Sequence, residues 1–130
     1  ESKVTAGLLM GAAAGYLLLG LTAGLVMSAV ETIQPGSFEP LNILRESANG
    51  PDASVLMSMR AFSQINYFAF ICLTTVGFGD IQPVLPISRM LAVVTGIIGP
   101  LYLAVVMGVL IGRYTRQVEE EDIVDHNHRP

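Results

Sequence analysis

Thr74-Thr75-Val76-Gly77-Phe78-Gly79-Asp80 lies between two apolar segments, each long enough to cross a bilayer, and its reading decides the fold. The run presents successive backbone carbonyls, a threonine hydroxyl at one end, a carboxylate at the other and two glycines spaced two apart. These are hard oxygen donors, with no soft or aromatic donor among them. Neighbouring carbonyls can point the same way only if alternate residues leave the ordinary β region, and glycine enters left-handed space at little cost. Gly77 and Gly79 therefore set the backbone, Val76 and Phe78 turn their side chains outward into surrounding protein, and the carbonyls of Thr75, Val76, Gly77 and Phe78 face an axis.

Upstream, residues 59–74 are apolar but too short to span a membrane, and they end where the run begins. This predicts a re-entrant helix, with Ser58 as its cap. Backbone that stops being helical at membrane depth is tolerated only where protein or a water-filled cavity surrounds it, which points to an oligomer. The carbonyl end of such a helix carries partial negative charge and, aimed at a central cavity, would stabilise a cation there.

Residues 4–30 read as a first membrane helix, whose polar side chains are Thr5, Tyr16, Thr22 and Ser28; a span needs roughly 20 residues. Gly7, Gly11 and Gly15 recur every four residues, as do Gly20 and Gly24, which places small residues on shared faces that another helix can approach closely. The expected partner is the second span. Residues 31–58 form a polar, turn-rich loop punctuated by Pro35-Gly36 and Asn49-Gly50-Pro51, with residues 41–46 long enough for one helical turn. Its charge is mildly acidic, from Glu31, Glu39, Glu46 and Asp52, and reads as a solvated face.

Residues 90–112 form the second span, bounded by Arg89 and Arg113, with Thr95 as its polar side chain. Pro100 has no N–H to give the carbonyl of Gly96 and its ring crowds that carbonyl, so a bend is expected there. Leu103, Met107 and Ile111 follow at helical spacing on one face, which either lines a pore or packs on the first helix. Beyond Arg116, itself at helical pairing distance from Glu120, the acidic run 119–122 lacks the spacing and glycine of a calcium loop. It reads as a solvated helix end or the start of a linker to a cytosolic regulatory domain outside this chain. His126 and His128, with no cysteine nearby, read as a frayed, solvated terminus rather than a metal site.

Composition agrees with a membrane chain: 52% of the 130 residues are hydrophobic and 14% charged, and mean hydropathy is +0.56. The net charge of −4 sits in the loop and tail. A single cysteine, Cys72, excludes an internal disulfide and reads as small apolar filler. The start at Glu1 without methionine predicts a piece of a longer chain. Lys3, Arg113 and Arg116 flank the spans on the side shared by both termini, which favours cytoplasmic termini in a plasma membrane, a multi-pass topology.

Residues 75–80 closely resemble the selectivity-filter signature of potassium channels, the family in which carbonyl rings replacing an ion's hydration shell are best known, with Phe78 where that signature has tyrosine. The likeness runs from about Phe62 to Arg113 and, more loosely, over the two-helix layout. The resemblance implies an all-α membrane protein with two transmembrane helices, a re-entrant pore helix and a selectivity filter, built as a homotetramer of four such chains around a central pore. A potassium-channel pore domain would then occupy residues 1–116: outer helix about 4–30, turret 31–58, pore helix about 59–74, filter 75–79 and inner helix about 88–116. Residues 117–130 would be a cytosolic tail or linker.

Carried onto this chain, the resemblance assigns K+ ions to the carbonyls of Thr75, Val76, Gly77 and Phe78, with the Thr75 hydroxyl as a further ligand; no organic cofactor is implied. Related non-selective cation channels depart at the places of Phe78 and Gly79-Asp80, and this chain does not. Copies of Asp80 around one axis would attract cations to the outer mouth. Tyr67 stands where relatives place an aromatic donor, so its hydroxyl is expected to donate to the Asp80 carboxylate. Ile71 stands where one bacterial branch has a carboxylic acid; isoleucine cannot bond Asp80, so the acid-linked filter gating of that branch is not expected. Gly99 matches the glycine at which relatives bend their inner helix, making Gly96, Gly99 and Pro100 the expected hinge. Leu103, Met107 and Ile111 become candidates for cavity and gate lining.

The expected function is passive, selective conduction of potassium, with lipid as the surroundings and no nucleic-acid partner. No nucleophile and base arrangement or nucleotide loop suggests an enzyme, and no arginine-rich sensor helix suggests voltage sensing. A weakly selective cation channel of the same fold, or a non-conducting membrane scaffold subunit, are the alternatives.

Overall fold

A computed structural model describes residues 2–41 and 53–127, with side chains described for 6–41 and 54–116. The expected helical turn at 41–46 and the punctuation at 49–51 fall almost wholly outside the described residues, as does His128. Two compact units divide the chain, Glu1–Pro100 and Leu101–Pro130.

The first unit is built on α1 (Ser2–Ile33), α2 (Ala53–Leu73) and the opening of α3 (Pro86–Asn127), with a minimal antiparallel pair of strands, β1 (Phe38–Glu39) and β2 (Gln82–Pro83). Two helical stretches, Ala6–Ile33 and Pro86–Arg116, are long and apolar enough to cross a membrane. The mostly helical, two-span architecture is the expected one. The helix expected at about 59–74 is longer, starting at Ala53 and stopping at Leu73. Ser58 is therefore no cap: it lies inside the helix, where its hydroxyl donates to the Ser54 carbonyl at 2.8 Å, a local alternative open to any mid-helix serine.

The glycines of α1 also meet a different partner from the one expected. A Cβ on Gly20 would press into the Phe70 ring, 2.6 Å from Cζ, and one on Gly24 would lie 2.7 Å from Cγ and 3.2 Å from Cα of Asn66. Both contacts are with α2, so Gly20 and Gly24 admit that helix rather than the second span. Around Gly7 and Gly11 the space is open. Where α1, α2 and the strand pair meet, Met27, Phe38, Ile65, Phe68, Ile71 and Ile81 form the core. The rings of Phe38 and Phe68 stand 5.4 Å apart and tilted by 59°, a geometry that sets a ring edge towards a neighbouring face.

Glu31 departs most from the reading of the loop as a solvated face. Only 7% exposed, it accepts the amides of Gly36 and Ser37 at 2.9 Å each and of Phe38 at 3.2 Å. A carboxylate in the last turn of a helix faces the negative end of the helix dipole, and these donors offset that repulsion. The turn they define, with Gly36 at φ 90°, leads into β1. The Ser37 carbonyl then accepts the Val84 amide at 2.9 Å and the buried Ser88 hydroxyl at 2.8 Å, which ties the end of α1 to the segment after residue 80 and to the start of α3.

The second unit is the helical remainder of α3, which continues to Asn127. The backbone at His126 is thus helical, not frayed, because the acidic run 119–122 carries good helix formers and no Gly or Pro interrupts it before Pro130. The side chains of Glu120 and His126 lie outside the described ones.

Candidate functional site

The last carbonyls of a helix lack partners of their own kind and must find donors elsewhere. At the end of α2 each one does. Phe70 accepts the Thr74 amide at 2.9 Å and the Thr74 hydroxyl at 2.7 Å. Ile71 accepts the Gly77 amide at 3.2 Å, Cys72 the Thr75 amide at 3.0 Å, and Leu73 the Tyr16 hydroxyl at 3.1 Å. The strand that follows is thereby folded back against the helix end by its own amides.

Within that strand, φ is +59° at Thr75, +54° at Gly77 and +76° at Gly79, while Val76 and Phe78 remain at negative φ. Alternation of left- and right-handed residues turns successive peptide planes the same way round, which brings carbonyls to one side. A Cβ on Gly77 or Gly79 would meet nothing within 4 Å, so backbone conformation and not space calls for glycine there. Thr75 adopts the same conformation with a β-branched side chain, a strain of about 1–3 kcal/mol.

Among the described residues, no donor reaches the carbonyls of Thr75, Val76, Gly77 or Phe78. The Gly79 carbonyl differs: Gln82 Nε2 donates to it at 3.2 Å. Residues 74–80 are exposed in the single chain, Val76 at 52% and Phe78 at 70%, so neither side chain finds its cover within its own subunit. These four carbonyls are hard oxygen acceptors, open to donors or to a hard cation.

Asp80 lies at the far end of this segment, where with Glu39, Gln82, Val84 and Arg89 it lines a cavity of about 310 Å³. Arg89 is held at its rim by donating from Nε to the Pro83 carbonyl at 3.2 Å. The Tyr67 phenol is pushed above its ordinary value by desolvation first, then by a hydrogen bond to Asp80 and by the charge of that carboxylate. Asp80 is thus near enough to Tyr67 to act on its titration. Ile71 is 7% exposed and belongs to the core; its contribution to the strand is its carbonyl.

In α3, Gly96 and Gly99 face the end of α2, the first at ordinary contact distance from the Cys72 carbonyl and the second far closer to Leu73. Pro100 lies within the helix. Leu103, Met107 and Ile111, in the second unit, are 47%, 55% and 60% exposed in the single chain. Sequence reasoning missed Glu31, Gln82 and the role of Tyr16. Only Tyr16 carried a signal, as a polar residue at mid-span.

Residues 43–116, more than half of the chain, match the family model described as an ion channel. The protein belongs to this ion-channel family and is a membrane protein of the two-span type. No curated protein and no solved structure matches the chain significantly.

Proposed function

We propose that the chain conducts potassium ions selectively, as a homotetramer in the plasma membrane with both termini in the cytoplasm. The observation that carries this reading is the left–right alternation of φ over residues 75–79, which gathers carbonyls that have no donor of their own. In a ring of chains, those oxygens replace the hydration shell of the ion at Thr75, Val76, Gly77 and Phe78, and the Thr75 hydroxyl serves the inner end, where cavity water is exchanged for protein oxygen. Several stacked sites keep each ion bound closely enough to enter and loosely enough to leave.

Asp80 concentrates cations at the outer mouth, and Tyr67 holds its carboxylate. Below, α3 lines the path: Leu103, Met107 and Ile111 form an apolar constriction, and Gly96, Gly99 and Pro100 lie where the helix can change direction. Non-helical backbone exposed at membrane depth needs cover from other copies, which supports assembly around an axis.

Reconstituted protein tests the reading by flux in liposomes under a potassium and then a sodium gradient. Selective conduction gives rapid potassium flux and little sodium flux. Comparable rates for both ions would replace it with a weakly selective channel, and no flux with a scaffold subunit.

A further inference from the structure

Three helices meet at the last carbonyl of the pore helix. Leu73 is wholly buried, and its oxygen accepts the Tyr16 hydroxyl from α1. From α3, Gly99 comes so near that a Cβ built on it would sit 2.8 Å from the Leu73 carbonyl carbon and nearer still to the oxygen. A flexible side chain could swing away from such a contact; a main-chain carbonyl in a close-packed interior cannot. No residue larger than glycine fits unless a helix moves. A Cβ built on Gly96, one turn earlier, would lie 3.6 Å from the Cys72 carbonyl oxygen, so α3 runs along the helix end rather than approaching it at one point.

The other terminal carbonyls of α2 are held by donors from residues 74, 75 and 77, which belong to the strand itself. Those bonds can move with the strand. Only the bond at Leu73 comes from a different element, and only it can fix the helix end relative to its surroundings.

We infer that Tyr16 is a positioning residue for the conducting strand: with Gly99 it fixes the Leu73 carbonyl, and with it the point from which residues 74 and 75 launch the strand. The inference rests on the proposed conduction through residues 75–78. Gly99 is then a fixed contact between inner helix and pore helix, and a substitution there disturbs the strand before it disturbs any bend.

The chain offers a direct probe, because Leu-Thr occurs only at 21–22 and 73–74. The 130-residue chain carrying carbonyl-13C leucine and 15N threonine gives two carbonyl–amide correlations, one of them an internal control. Tyr16→Phe keeps the ring and removes the donor. The 73–74 signal is expected to move upfield while 21–22 stays in place, and potassium flux is expected to decline with time about three- to tenfold faster than in the unsubstituted chain, the rate equivalent of one net hydrogen bond. Gly99→Ala should shift the same signal.

An unmoved 73–74 signal in Tyr16→Phe refutes the brace, whatever the chain conducts. A shifted signal with unchanged decay of flux refutes the positioning role. Absence of flux from the unsubstituted protein overturns the proposed function instead, and the positioning role with it, while the spectrum still decides the brace.

Discussion

Removing the carboxylate of Glu31 should destabilise the turn that follows α1 more than any other single polar change within it. The side chain is 7% exposed and accepts three backbone amides, those of Ser37 and Phe38 in buried bonds and that of Gly36 in a part-buried one. Glu31→Ala leaves all three without a partner. An unsatisfied buried amide costs about 1–3 kcal/mol, and with some water reaching Gly36 the sum is about 3–6 kcal/mol. Glu31→Gln keeps the shape but loses the charge and sets an NH2 against one of the amides, for a loss of about 1.5–3 kcal/mol. Denaturant unfolding in detergent micelles, followed by circular dichroism, would rank the three proteins. An Ala variant within about 0.5 kcal/mol of the parent, the range of ordinary surface changes, would mean that water already serves these amides, and the structural role of Glu31 would have to be abandoned.

Other consequences are smaller or more local. Gly77→Ala, at φ +54° with open space around it, should cost about 1–2 kcal/mol per chain from left-handed backbone alone, read as a lowered unfolding midpoint. Gly24→Leu should separate α1 from the pore helix and destabilise by about 1–3 kcal/mol, while Gly11→Leu, in open space, should leave the midpoint unchanged; equal effects would contradict the packing. Tyr67 holds its proton to higher pH than an unfolded tyrosine does, through desolvation first and Asp80 second, so the stability its neutral form contributes is present in full below pH of about 10 and is lost as pH rises through the folded value. Tyr67→Phe should flatten stability over that alkaline range, and an unaltered pH profile would dismiss the pair.

The two spans and the residue 74–80 run were legible because each is carried by local chemistry: unbroken apolar length in one case, glycines at alternate positions in the other. Left-handed conformation at Gly77 and Gly79 follows from that spacing, whereas Thr75 could not be assigned it, since a β-branched residue enters left-handed space only when its surroundings force it. Here the forcing is visible, with the Thr75 amide tied to the Cys72 carbonyl and the Gly77 amide to that of Ile71. Glu31 was misread because its partners are main-chain amides, which every sequence has and none advertises. Ser58 was misread because a serine before an apolar run caps a helix only if the helix starts there. Gly20 and Gly24 signalled close approach correctly but could not say of what, because two helices compete for one face and the choice rests on Phe70 and Asn66.

One asymmetry organises the site. The chain satisfies every terminal carbonyl of its pore helix from within, one of them through Tyr16 at mid-span, and then leaves the next carbonyls unpartnered and Phe78 70% exposed. The carbonyls of residues 70–73 have donors while, among the described residues, those of Thr75 to Phe78 have none, and uncovered polar backbone in apolar surroundings is costly. The strain at Thr75 adds to that cost rather than relieving it. On the proposed function, what stabilises residues 75–78 comes from outside the single chain and does two different things: it covers apolar side chains on one side and supplies positive charge to oxygens on the other. Neighbouring copies can do the first and a dehydrated cation the second. The ring of chains proposed above would meet the two requirements together, with the oxygens of several copies facing one another.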